Sequence, residues 1–108
     1  MTKTPVEIDV YCGTFASQPL VYAHLADITA PGIIDLDHVE VICRTNPAPR
    51  LLHFFDQPAS NRIEDAMGLN DTCVLVLPGA GVSAEHLKTS PLLTRLFTFI
   101  GHRHRAAP

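Results

Sequence analysis

Cys12 stands in the run "DVYCGTFASQPL", residues 9 to 20, between a strand-like alternation and the start of a helix. That position gives a thiol chemistry to do. A helix N-terminus offers free N–H groups and the positive end of the helix dipole, and both favour a thiolate. Gly13, Thr14 and Ser17 follow in one short loop, so an anion held there would meet hydroxyls and loop amides. The opposing reading is equally physical. Free cysteine is among the most buried residue types and packs as a small hydrophobe. Cys43 and Cys73 read that way, because both continue apolar strand faces.

The remaining polar groups point less clearly to chemistry. His102 and His104 form a His-x-His pair, but two ligands are too few for a specific site. Arg103 and Arg105 flank them, and positive charge past a helix C-terminus complements its last carbonyls. No metal and no other cofactor is expected. His24 falls among the apolar positions of the first helix and faces either the core or the site. Glu7 and Asp9 read as the solvated side of a half-exposed strand rather than as paired catalytic carboxylates. His38, His53 and His86 carry no pattern, and "PGAG" (78–81) reads as a tight turn.

Regular elements must position these groups. Val6, Ile8 and Val10 alternate with Glu7 and Asp9, the period of a strand with one buried face. Ser17 as N-cap and Pro19 in the first turn open a helix, Leu20, Val21, Leu25 and Ile28 line it, and Pro31-Gly32 stops it. A second strand spans Val39 to Cys43. "RTNPAPR" is irregular, and Leu51, Leu52 and Phe55 suggest a short helix closed by Pro58. Asn61 and Glu64 form a capping box for a further helix that Gly68 ends. "CVLVL" (73–77) is apolar at every position, as in a strand buried on both faces. Residues 82–88 fit either a hairpin strand or a short helix. Ser90 and Pro91 open a last helix with Leu92, Leu93, Leu96, Phe97 and Ile100 on one face and Gly101 at its end. Residues 102–108 then form a flexible C-terminal tail. A strand–helix–strand opening implies a right-handed crossover and a parallel first pair.

Composition narrows the partners. The chain has 108 residues, enough for one domain with one core. Its net charge of -3, with basic residues scattered until the last few positions, argues against nucleic acid as a partner. No apolar run nears the roughly 20 residues that span a bilayer, so no membrane role is expected. "MTKTPVEIDV" has no signal-peptide pattern, and the three cysteines at irregular spacing form no disulfide framework. The expected location is the cytoplasm.

The order of elements, with Cys12 just after the first strand, resembles the thioredoxin-like superfamily. That resemblance implies an α/β three-layer sandwich with a mixed sheet of three or four strands, and Cys12 as the attacking thiol. It departs from the family where Phe15 replaces the second cysteine of the usual pair. Thr72 and Cys73 stand where a proline normally precedes the third strand. If the third strand runs antiparallel to the first, Cys12, Cys43 and Cys73 gather along one edge, a cluster able to bind a soft metal or form a reversible disulfide. A ferredoxin-like α+β sandwich is the alternative, and it accommodates Glu7 and Asp9 better. "YCGTFASQ" also resembles the loop of phosphotransferase-system IIB components. This implies phosphorylation of Cys12, with Gly13, Thr14 and Ser17 around the phosphate.

Three functions follow as expectations. One is a thiol-dependent redox protein or carrier acting through Cys12. Another is a phosphocysteine carrier of the sugar phosphotransferase type. The third is a non-catalytic binding or assembly module, a homodimer or larger complex, because "PLLTRLFTFIGH" offers more apolar surface than one small core covers.

Overall fold

The computed structural model describes residues 5–29, 38–81, 87 and 90–102. Alternation at the start of the chain builds β1 (Pro5–Gly13). Pro19 then opens α1 (Gln18–Ile28), with Ser17 at the N-cap position but making no side-chain cap bond. β2 (Val39–Cys43) follows as the alternation predicts. Two helices come next, α2 (Ala48–Leu51) and α3 (Gln57–Met67). The N-cap of α3 is Asp56, whose carboxylate accepts the Ala59 N–H at 3.0 Å. The expected Asn61–Glu64 box is therefore interior to the helix, and Pro58 starts α3 instead of closing the helix before it. Gly68 ends α3 at a positive φ of 58°, a conformation that favours glycine.

β3 (Thr72–Val76) is buried at every position, as its unbroken apolar run requires. The largest departure from the sequence expectation lies in the last segment. Residues 94–102 form a strand, β4 (Thr94–His102), and not a helix. The cap signal at Ser90 is real but governs a single turn, in which Ser90 Oγ accepts the N–H groups of Leu92 and Leu93. Beyond it the β-branched and aromatic run Phe97-Thr98-Phe99-Ile100 suits a pleated surface. Pairing with β1 from Pro5↔His102 to Cys12↔Thr94 outweighs the helical spacing of the leucines. His102 thus closes β4 rather than starting a tail. Residues 103–108, and all of 82–88 except buried Leu87, lie outside the described residues.

The sheet order is β2-β3-β1-β4, and every pairing is antiparallel. The expected mixed sheet is corrected on this point. β1 and β2 run in the same direction, but β3 is inserted between them, so they are not the adjacent parallel pair that the strand–helix–strand opening implied. Helices cover both faces. On one face Ile8, Val10, Cys12, Ile42, Cys73 and Leu75 pack under α2, α3, Phe54 and Phe55. On the other, Tyr11, Val39, Val41, Val74 and Val76 pack against Val21 and Leu25 of α1, with Leu87 and Leu93. The fold is a mixed α/β arrangement of four antiparallel strands and three helices. Among the described residues, no helix is long and apolar enough to cross a membrane.

Candidate functional site

Antiparallel pairing brings the residues singled out by chemistry to one end of the sheet. Gly13 faces Thr72, Cys43 faces Thr72 from the other side, and Cys12 faces Cys73. Because side chains alternate along each strand, this register divides the cysteines between the two faces. Cys12 and Cys73 belong to the α3 face, whereas Cys43 packs with the α1 face. The expected cluster of three is a pair and a separate thiol. Among the described residues, no group of three His, Cys, Asp or Glu side chains is placed to hold a metal ion.

Cys12 is 2% exposed, set in the cluster formed by Ile8, Val10 and Ile42. Burial raises its pKa, and the Asn70 amide, which donates to Sγ at 3.4 Å, offsets this only in part. α1 does not aim the sulfur, since the helix packs on the opposite face of the sheet. The dipole-held thiolate expected for residue 12 therefore finds no support in the geometry. Cys73 is fully buried and its thiol is pushed up to about 12, by burial first and by the neighbouring Cys12 second.

The expected anion loop is spoken for by the protein itself. Gly13 belongs to β1 and is overlaid by the carbonyl of Leu92, leaving no room for a Cβ. Thr14 donates to Asn70 Oδ1 at 3.2 Å. The Phe15 N–H, one of the loop amides around the expected anion, donates to the Asp71 carboxylate at 3.1 Å. Hydrogen bonds from Thr72 Oγ1 (2.8 Å) and from Phe15 N, together with the Arg44 charge, hold the Asp71 pKa below the ordinary carboxylate value.

Cys43 is the partly exposed thiol. Its Sγ lies 3.3 Å from Thr72 Oγ1 and 3.8 Å from the Phe15 carbonyl. The one proton of Thr72 favours the charged Asp71 oxygen, and a threonine is no base at neutral pH, so the chain Cys43–Thr72–Asp71 does not activate the sulfur. Arg44 follows at a positive φ of 57°, its N–H bonded to the Asp71 carbonyl at 2.8 Å. His24 Nε2 pairs with Ser90 Oγ at 2.6 Å, and the ring sits tilted against Phe15.

Sequence reasoning missed Asn70 and Asp71, which tie the β1–α1 loop to the start of β3. The signal was available in the polar turn "GLND" before a buried strand, but its partners emerge only once β1 and β3 are known to be antiparallel neighbours. No protein family, no curated protein and no solved structure matches this chain.

A second candidate surface is the edge formed by β4. Among the described residues β4 has a strand neighbour on one side only. Phe97 and Phe99 stack on the α3 side at 5.0 Å between centroids, and the Arg62 guanidinium lies over both rings. On the opposite side Ile100 is 67% exposed. Beside it, Asp9 accepts from Thr98 Oγ1 at 2.6 Å and pairs with Arg95 at 3.4 Å.

Proposed function

We propose that this chain is a non-catalytic assembly module that pairs with a second copy of itself along β4, the edge strand among the described residues. The observation that carries the reading is the contrast between the two edges of the sheet. β2 is five residues long, and its Glu40 is bridged to Arg50 of α2. A short, charged edge of that kind resists pairing. β4 is nine residues long, has no proline, and leaves Ile100 in solvent. Its one arginine is neutralised by Asp9, so two copies would not repel each other there.

A second copy is the natural occupant. A two-fold axis normal to the sheet presents β4 antiparallel to itself, continues the antiparallel order, and keeps the α3 faces on the same side. Nine residues at ~3.4 Å each give an edge of about 30 Å, and the flanking Phe97, Phe99 and Ile100 add apolar area. Of the two fold readings, the insertion of β3 between β1 and β2 matches the split β-α-β of the ferredoxin-like one, although helices on both faces depart from its one open sheet face. The assembly reading is preferred to a thiol or phosphocysteine carrier because Cys12 is buried and the Phe15 loop amide is already bonded to Asp71.

Light scattering at several concentrations tests the proposal. The expected mass is about twice the 11.8 kDa of one chain, falling toward the monomer in Ile100→Lys with an unchanged circular dichroism spectrum. A monomer at every concentration, or an Ile100→Lys variant as dimeric as the parent, overturns it.

A further inference from the structure

The two buried thiols on the α3 face are a pair that the assembly reading does not use. Cys12 and Cys73 are directly opposed in the β1–β3 register. Opposed residues of antiparallel strands have Cα atoms about 4.5 or 5.5 Å apart, according to the type of pair. Both separations fall in the roughly 4.4–6.8 Å range that a disulfide spans. Their side chains share one face and one cluster. The charge of Cys12 is felt at Cys73, as two adjacent sulfurs require. Both are free thiols here.

We propose that Cys12 and Cys73 form an oxidation site, closing to a cross-strand disulfide that staples β1 to β3 when the protein meets hydrogen peroxide. Cys12 is the attacking sulfur, since its proton is the more easily lost of the two and the Asn70 amide donates to it. In the first step the Cys12 thiolate attacks a peroxide oxygen and the O–O bond breaks. Cys12 becomes a sulfenic acid, and the leaving oxygen departs as water after taking up the thiol proton. In the second step Cys73 sulfur attacks the sulfenic sulfur, the S–S bond forms, and the hydroxyl leaves as water with the Cys73 proton. Two thiols are oxidised by two electrons and one peroxide is reduced to two waters.

The surroundings shape the chemistry. With Cys12 2% and Cys73 0% exposed, only a small oxidant such as hydrogen peroxide suits this site, and a bulky thiol such as glutathione is kept from the sulfurs. Reaction is therefore slow, because burial suppresses the thiolate, but the product is hard to reduce. Cys43, on the opposite face, takes no part.

The experiment treats the native protein with hydrogen peroxide, quenches with an alkylating agent, and maps peptides by mass spectrometry without reductant. The expected product is two hydrogens lighter, with the Cys12 and Cys73 peptides linked, Cys43 alkylated, and a higher unfolding temperature that a small phosphine reductant reverses after unfolding. In Cys73→Ala a 1,3-dione present as the peroxide-treated protein is unfolded should trap the sulfenic acid on Cys12, because the resolving thiol is gone. A link through Cys43, oxygen additions at Cys12 without a link, or both core thiols intact when Cys43 is fully oxidised overturns the proposal. None of these readouts depends on whether the chain dimerises.

Discussion

At the scale of single residues, burial decides what each group can do. Cys12, Cys43 and Cys73 share one chemistry in the sequence, but they differ in access. Iodoacetamide at neutral pH is expected to modify Cys43 first, with Cys12 and Cys73 reacting only as the protein opens. Faster labelling of Cys12 than of Cys43, followed by peptide mapping, would return a reactive nucleophile to residue 12. Ser60 makes a second case. It is fully buried in α3, and its hydroxyl has no hydrogen-bond partner among the described residues. An unsatisfied buried hydroxyl costs about 1–3 kcal/mol, and alanine is also the better helix former. Ser60→Ala should therefore raise the unfolding free energy by about 1 kcal/mol, read from urea midpoints at constant slope. A loss of stability would mean that the hydroxyl has a partner.

At the scale of elements, strand assignments follow from which pairings the chain can complete. β1, α1, β2 and β3 were legible because alternation, a proline-opened helix and an unbroken apolar run are local signals. β4 was not. Leu92, Leu93, Leu96 and Phe97 recur at helical spacing, and only the open edge of β1 gives Thr94–His102 its partner. The irregularity between Val10 and Tyr11 leaves Leu96 as an extra residue in β4, which breaks the period that would have betrayed a strand. The same close pairing makes Gly101 sensitive. A Cβ there would lie 2.6 Å from the Phe54 carbonyl and 2.9 Å from Ile8 and Phe55. Gly101→Ala is expected to cost about 1–3 kcal/mol in denaturant titration, and an unchanged midpoint would mean that β4 is not packed over Phe54 and Phe55.

Asp71 links elements electrostatically, and its effect has a definite sign with pH. Thr72, then Phe15 and Arg44, hold its folded pKa below the ordinary value. Its contribution is present above the unfolded carboxylate pKa, about 3.9, and is lost as pH falls through the lower folded value. The stability difference between the parent and Asp71→Asn should be constant near neutrality and shrink below about pH 4. A difference that grows in acid contradicts the hydrogen bonds drawn for this carboxylate.

At the scale of the whole molecule, the contrast is between a packed interior and an edge strand, β4, that among the described residues has a strand neighbour on one side only. The sequence revealed an excess of apolar surface in "PLLTRLFTFIGH", yet read as a helix that segment had no defined place to dock. Read as a strand, it presents Phe97, Phe99 and Ile100 along the rim of the sheet, and the candidate site at Cys12 becomes part of the core. The most direct test of the assembly account is an isotope-filtered NMR experiment on an equimolar mixture of labelled and unlabelled protein. The account predicts intermolecular NOEs among β4 residues of the two copies, centred on Thr98 and including Phe97, Phe99 and Ile100. A dimer whose intermolecular NOEs fall elsewhere, or a mixture with none at millimolar concentration, would contradict it.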